Sequence, residues 1–81
     1  MSTLAVELQP QAQKISCTDE SIIVELVDGR TVSAPLVWFP RLSHATKKQL
    51  DNWELLGDGE GIHWPDIDED LSIIGLLIGT H

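Results

Sequence analysis

The sequence has little cysteine, little positive charge and no long apolar run. Cys17 is the only cysteine among 81 residues, which excludes an internal disulfide and a zinc site built from several cysteines. A lone thiol suits a reducing compartment. The longest apolar stretch, residues 71–79, is far shorter than the roughly 20 residues that a membrane-spanning helix needs. Residues 1–10 lack a basic start and contain Glu7, unlike a signal peptide. We therefore expect a cytoplasmic protein with no membrane partner.

Positive charge is scarce. Thirteen Asp and Glu residues against five Lys and Arg residues give a formal net charge of -8. Such a chain repels phosphate backbones, so direct nucleic-acid binding is not expected. An acidic surface either keeps a protein soluble or complements a basic protein partner, and charge alone does not separate these two roles.

The length and the hydrophobic pattern predict one small α+β domain over residues 1–81, in which antiparallel β-hairpins pack with two short helices. A chain of 81 residues, 42% of them hydrophobic, can form one hydrophobic core and is too short for two. Leu4, Val6 and Leu8 alternate with small or polar residues, which predicts a first strand. Residues 13–17 predict a second short extended piece.

Residues 21–27 and 30–34 predict a β-hairpin around Asp28-Gly29. A two-residue loop would place Val24 opposite a serine and mix apolar with polar residues on each face. A three-residue loop, residues 27–29, instead pairs Val24 with Val32 and keeps the apolar residues together. The pattern therefore predicts a bulged loop with a positive φ at Gly29.

After this hairpin, Pro35 should end the strand, and the apolar residues 36–40 should pack over the sheet. Thr46 and Gln49 have the spacing of a capping box, which predicts a helix over about residues 44–52. Residues 53–56 and 62–64 flank a glycine-rich connection and predict a second hairpin. That connection lacks the lysine and hydroxyl residue of a phosphate-binding loop and carries two acids, which argues against nucleotide binding.

The last apolar segment predicts a helix over residues 71–78. Leu71, Ile74 and Ile78 have helical spacing, and Gly79 can end the helix. Against a helix, three of its residues are β-branched isoleucines and Gly75 lowers helix propensity.

The acids before this segment, Asp66, Asp68 and Asp70, resemble the opening of a calcium loop. Leu71 and Leu77 stand where that loop needs a glycine and a carboxylate. Capping of the predicted helix is the preferred interpretation, because carboxylates complement the positive end of a helix. The three acids are therefore only weak metal candidates, and no metal or cofactor is expected.

No residue is assigned a catalytic role. His63 lies between Ile62 and Trp64, so in a strand its side chain should point away from both apolar neighbours. Catalysis there would require the fold to bring an aspartate or a nucleophile beside it. Cys17 has no basic residue closer than Lys14 and is interpreted as a small buried hydrophobic residue.

The tryptophans give the best candidate for a contact surface. A small core rarely encloses three indoles completely, so at least one of Trp38, Trp53 and Trp64 should reach the surface. Tryptophan and arginine together are typical of protein interfaces. The candidate partner-binding residues are therefore Trp38, Phe39, Arg41 and Trp64, with core packing beneath a loop as the alternative.

The chain contains, in this order, Asp28-Gly29-Arg30, Pro35-Leu36, residues 38–42 (WFPRL), Ala45-Thr46, residues 61–65 (GIHWP) and residues 68–72 (DEDLS). In this order they resemble the bacterial DUF2442 family of proteins of unknown function, with a likeness that covers residues 22–79. The resemblance brings no activity, cofactor or catalytic residue. Some similar proteins carry an added helix-turn-helix region, and similar short ones are compared with toxin and antitoxin pairs. With no such extension before His81, the resemblance implies a bare partner-binding module.

The leading hypothesis is a non-enzymatic protein-interaction module, an antitoxin-like acidic partner of a small basic protein. One alternative is a metal-dependent or hydrolytic protein that uses His63 with Asp66, Asp68 and Asp70. Another is a homodimer without catalytic activity, which self-associates through a strand edge or a tryptophan surface.

Overall fold

The computed structural model describes residues 10–78, which form two three-stranded antiparallel sheets and four short helices. The first sheet has the order β1-β2-β3 and contains Ala12–Cys17, Ser21–Leu26 and Thr31–Pro35. The second has the order β4-β5-β6 and contains Glu54–Leu56, Gly61–Trp64 and Glu69–Ser72. In the sequence, β3 is followed by a 3-10 helix, Leu36–Trp38, and by two α-helices, α1 (Pro40–Ser43) and α2 (Lys47–Asp51), which precede β4. The helix α3 (Ile73–Ile78) follows β6. The fold is α+β, as predicted.

The first hairpin confirms the predicted register. Ile22 pairs with Ala34 and Val24 with Val32, so one face carries the apolar residues of both strands. Ile22 and Val24 are fully buried. The loop is the three-residue form, and Gly29 has φ +96°, in the region that glycine adopts without steric cost.

The predicted extended piece at residues 13–17 is strand β1, which pairs antiparallel with β2. Its apolar side chains Ala12, Ile15 and Cys17 are buried, with an irregularity in the register after Ala12 that shifts the alternation. The strand predicted from Leu4, Val6 and Leu8 lies outside the described residues.

The chain from β3 to α2 follows the sequence prediction with one addition. Leu36 and Phe39 are buried in the core, and the short helix α1 then begins at Pro40. Thr46 and Gln49 form the predicted capping box at the start of α2. That helix spans Lys47–Asp51, inside the expected range.

The second sheet contains the second predicted hairpin, β4 with β5. Its turn also joins the two sheets, because the Ala12 N–H donates to the Gly59 carbonyl at 2.7 Å. Trp64 of β5 is fully buried, and its indole N–H donates to the Leu50 carbonyl of α2 at 3.1 Å. The bond satisfies a polar group that burial would otherwise leave unpaired.

The prediction for residues 66–78 was partly wrong. The acids do not cap a helix that starts at Leu71, because Glu69 and Asp70 belong to strand β6 and α3 begins only at Ile73. The cap is Ser72, whose hydroxyl accepts the Gly75 N–H at 3.2 Å.

The prediction that Ile74 and Ile78 form the buried face of this helix was also wrong. Ile73 and Leu76 are the buried residues of this helix, whereas Ile74 and Ile78 are 52% and 70% exposed. Within residues 10–78, no helix is long and apolar enough to span a membrane.

Candidate functional site

A groove of about 380 Å³ lies along β6, the last strand of the second sheet. Its lining residues are Trp38, Phe39, Pro40, Glu69, Asp70, Leu71, Ser72 and Leu76. Successive side chains of a strand point to opposite faces, so a groove lined by all four residues of β6 follows the outer edge of that strand. Its volume lies near the lower end of the range of about 300–1,000 Å³ that is typical of ligand pockets.

The wall opposite β6 is residues 38–40, held in place by buried neighbours. Leu36 and Phe39 are each 4% exposed and anchor the segment to the core, while Trp38 is 43% exposed. The Trp38 and Phe39 rings meet edge to face, with centroids 6.4 Å apart. Pro40 stands at the first position of α1, where its fixed φ suits the start of a helix.

Arg41 connects this wall to the chain that leads into β6. Its guanidinium donates to the Ile67 carbonyl at 3.2 Å and to the Asp68 carbonyl at 3.0 Å. Arg41 was predicted to contact a partner. The structure gives it a positioning role, because these bonds fix α1 against the turn before β6.

Two predicted contact residues belong to the core. Phe39 is 4% exposed and Trp64 is fully buried. A partner therefore cannot reach Trp64 without unfolding the second sheet, and its inclusion in the contact surface was wrong. Trp38 is the exposed tryptophan, and Trp53 is half-buried against the core, so the expectation that at least one indole reaches the surface is confirmed.

His63 stands in the middle of an acidic row across the second sheet. It pairs with Glu54 on β4 and Asp70 on β6, so all three side chains share the face opposite the buried Ile62 and Trp64. Its outward orientation was predicted correctly. The His63 Nδ1 and an Asp70 carboxylate oxygen are 2.5 Å apart.

This environment favours the charged imidazolium. The hydrogen bond to Asp70 raises the pKa of His63 above its usual value, and the negative charges of Asp70, Glu54 and Asp68 act in the same direction. At neutral pH His63 therefore carries more positive charge than a free histidine. Glu54 was not identified as part of this row. The second hairpin was predicted without a register, and its register is what places Glu54 beside His63.

Asp66, Asp68 and Asp70 do not converge on one point. Asp66 accepts a hydrogen bond from the Asn52 amide at 3.1 Å, and Asp70 binds His63. Asp68 has φ +53° in the turn. Among residues 10–78, no group of three or more histidine, cysteine or acidic side chains is arranged to hold a metal ion.

Cys17 is buried at the end of β1, as predicted. Burial raises the pKa of its thiol, although the nearby Lys47 ammonium partly opposes this effect. A protonated, enclosed thiol is a poor nucleophile, so Cys17 is a structural residue.

The charge of the chain is divided unequally along its length. The five Lys and Arg residues all lie within residues 14–48, and none follows. Eight acids lie within residues 51–70: Asp51, Glu54, Asp58, Glu60, Asp66, Asp68, Glu69 and Asp70. The excess negative charge therefore belongs to the part of the chain that forms the second sheet and one wall of the groove. Neither this division nor the groove residues Glu69, Ser72 and Leu76 were identified from the sequence, although the charge division was visible there.

The comparisons with known proteins agree with the fold. The chain is similar to a protein of unknown function from Rhodospirillum rubrum ATCC 11170, whose crystal structure gives a TM-score of 0.78 at 36% identity over 89% of each chain. It is also similar to the uncharacterized protein CV0863 from Chromobacterium violaceum, solved by solution NMR. That structure gives a TM-score of 0.74 at 25% identity and covers 86% of this chain and 66% of the other. No protein of curated function matches the chain.

The family comparison confirms the resemblance that the short motifs suggested. The model of the family described as protein of unknown function (DUF2442) matches residues 12–81, which is nearly the whole chain. The chain belongs to the DUF2442 family.

Proposed function

We propose that this protein is a non-enzymatic interaction module whose groove, between β6 and residues 38–40, binds a basic protein. In that role it would be an antitoxin-like acidic member of a protein pair. The observation that carries the proposal is the charge division, because the excess negative charge lies in residues 51–70 and two acids of that stretch, Glu69 and Asp70, line the groove. Complementary charge speeds the encounter of two proteins and suppresses wrong partners.

The groove also has the mixed surface that protein interfaces use. Trp38 supplies an exposed aromatic side chain beside the acidic strand, and tryptophan is among the residues that contribute most to binding energy. Arg41, bonded to two carbonyls, keeps the aromatic wall and the acidic strand at a fixed separation. Such preorganisation lowers the entropy cost of binding.

The test is a capture experiment in the native cytoplasm at low salt, with two matched double variants. The groove variant is Trp38→Ala with Glu69→Lys. The control is Val37→Ala with Glu20→Lys, which makes the same change in net charge. Val37 and Glu20 line a different depression, of about 460 Å³, beside the first sheet.

A basic protein retained by the wild type and the control, lost from the groove variant and released by salt is the expected result. A captured protein that binds both variants equally, or no captured basic protein, contradicts the proposal. Melting temperatures of both variants check that the fold is intact.

A hydrolytic role for His63 is the second candidate, favoured by its pairing with Asp70. An aspartate that orients a histidine is two thirds of a nucleophilic triad. Within residues 10–78, however, the polar contact of the His63 ring is with Asp70 alone, and no hydroxyl or thiol is bonded to it. Release of p-nitrophenol from p-nitrophenyl acetate that disappears in the His63→Gln variant would support hydrolysis, and equal rates for both proteins would exclude His63.

The metal-dependent form of this candidate has no geometric support in the described residues. Calorimetric titration with calcium, magnesium, manganese and zinc tests it directly. We expect neither heat of binding nor a change in melting temperature.

Self-association is tested separately by sedimentation. A homodimer that the Trp38→Ala and Glu69→Lys double variant dissociates would assign the groove to a second copy of the chain.

A further inference from the structure

We infer that the basic partner binds by adding an extended segment to the outer edge of β6 as a fourth strand of the second sheet. This inference rests on the proposed function and specifies its mode of binding. Among residues 10–78, β6 pairs with β5 on one side, and no strand pairs with its other side. An edge of this kind is a template for strand addition, in which main-chain hydrogen bonds give affinity and alternate side chains give specificity.

The register of β6 with β5 determines which of its main-chain N–H and C=O groups face outward. The Ile73 N–H donates to the carbonyl of Glu60, its opposite residue, which makes this a hydrogen-bonded position of the antiparallel pair. Hydrogen-bonded and non-hydrogen-bonded positions alternate, so the main chain of Glu69 and Leu71 faces β5. The main chain of Asp70 and the Ser72 N–H therefore face outward into the groove.

Both ends of this edge are closed. Before β6, the Asp68 carbonyl accepts a hydrogen bond from the Arg41 guanidinium at 3.0 Å, so the Arg41 side chain blocks this end. After β6, the chain turns into α3, whose Leu76 lines the groove. The open length is therefore about four residues, or ~13 Å at the rise of a β-strand. A short extended segment fits this length, and a long strand does not.

The side chains around the edge specify the sequence of the added segment. A residue directly opposite Asp70 would place its side chain on the same face, as a continuation of the row formed by Glu54, His63 and Asp70. A lysine or arginine suits this position. The residues on either side of it would stand opposite Glu69 and Leu71 and point to the other face, where Leu71 offers an apolar contact. The matching segment therefore alternates basic and apolar residues.

The test uses the full chain, labelled with nitrogen-15, and the synthetic peptide acetyl-Lys-Val-Lys-Val-Lys-Val-amide. We expect the Asp70 and Ser72 amides to shift on titration and to exchange more slowly with solvent. The Glu69 and Leu71 amides, already bonded to β5, should keep their exchange rates. Protection at alternate residues is the signature of strand addition, which contact through side chains alone does not produce.

Two further peptides separate strand addition from attraction between charges. We infer antiparallel addition, in which the lysine opposite Asp70 forms a hydrogen-bonded pair with it. The amides of the lysine residues then bond to β6, whereas the valine amides point away. A peptide N-methylated at its lysines should therefore lose binding, and one N-methylated at its valines should keep it. The two have the same composition and charge, so salt affects both equally. Equal binding of the two peptides would refute the inference.

On the protein side, the comparison is Ser72→Pro against Ser72→Ala. Both variants lose the hydroxyl that caps α3, and only the proline variant loses the outward N–H. Peptide binding should be about three- to ten-fold weaker in the proline variant, the effect of one hydrogen bond. Spectra of the free variants check that each is folded, and equal affinities would contradict the assignment of the Ser72 N–H.

The outcomes also separate this inference from the proposed function. A captured partner that depends on Trp38 and Glu69, with no protection at Asp70 and Ser72, leaves an interaction module that does not use the strand edge. If none of the peptides binds, strand addition is also refuted. Protection that increases with protein concentration in the absence of peptide assigns the edge to a second copy. Slow exchange of the Asp70 and Ser72 amides in a dilute solution of the protein without peptide would show that residues of the same chain cover the edge.

Discussion

Two glycines with nearly the same backbone conformation should differ sharply in their tolerance of alanine. Gly29 has φ +96° and Gly59 has φ +95°. Each also donates its N–H to the carbonyl three residues before it, at 3.0 and 3.1 Å. The conformational cost of an L residue is therefore alike at both positions, at about 1–2 kcal/mol.

The surroundings of the two glycines differ. A Cβ at Gly29 has nothing within 4 Å, whereas a Cβ at Gly59 would lie 2.4 Å from the Ala12 carbonyl oxygen and 3.0 Å from its nitrogen. These are backbone atoms of a buried strand that also bonds to the Gly59 carbonyl, so they cannot rotate away. Loss of that bond adds about 0.5–1.5 kcal/mol, and displacement of β1 adds packing losses. We expect Gly59→Ala to cost about 3 kcal/mol and Gly29→Ala about half of that.

The assay is urea unfolding followed by tryptophan fluorescence, with a thermal scan of each variant. In a domain of this size, 1 kcal/mol shifts the melting temperature by about 4–8 °C, so Gly59→Ala should melt several degrees below Gly29→Ala. Equal destabilisation of the two variants would show that the Ala12 contact does not join the sheets in solution. That result would refute the account of how the second sheet is attached.

Three further substitutions test the core, the acidic row and the α2 cap. Trp64→Phe removes the donor to the Leu50 carbonyl and leaves a cavity, so it should cost about 2–4 kcal/mol, whereas Trp38→Phe should stay within about 0.5 kcal/mol; urea unfolding measures both. Since the folded pKa of His63 is raised from 6.5, its stabilisation is fully present below that value and is lost as pH rises through the raised pKa. The difference in unfolding free energy between wild type and His63→Gln should therefore shrink as the pH rises above 6.5, and a constant difference would contradict this linkage. Thr46→Ala should cost about 1 kcal/mol through the capping box, which the melting temperature checks against Thr31→Ala on an exposed strand.

The parts of the fold that were predictable from sequence are those fixed by local interactions. The register of the first hairpin follows from the alternation of its apolar residues and from the turn preference of Gly29. The cap of α2 follows from the spacing of Thr46 and Gln49. In each case the residues that decide the structure lie within a few positions of one another.

Residues 66–78 were mispredicted because the pairing of β6 with β5 competes with the helical spacing of their apolar residues. Leu71, Ile74 and Ile78 have helical spacing, but pairing of β6 with β5 holds Leu71 in a strand. The helix then starts two residues later and buries Ile73 and Leu76 instead. Strand pairing across a turn overrides a local period of three and four residues.

The candidate site was predictable in part. Trp38 was correctly expected at the surface, but the alternation that places His63 outside also places Trp64 inside, and this consequence was not drawn. The groove joins three segments, around Trp38, Asp70 and Leu76, that only the tertiary fold brings together. Composition and spacing contain no signal for that encounter.

The composition of β6 itself argues for a role beyond folding. Asp and Glu are depleted in strands, and like charges near one another across a sheet are destabilising, yet β6 places Asp70 in the same row as Glu54. His63 between them offsets part of this repulsion. Natural sequences break local rules of this kind mainly at functional sites. An acidic edge also repels other copies of the same chain, so it disfavours aggregation while it leaves the strand open to a basic segment. If the edge had no function, Asp70→Thr should cost the fold only its hydrogen bond with His63 and leave partner binding unchanged. A binding edge requires that the same substitution weaken capture.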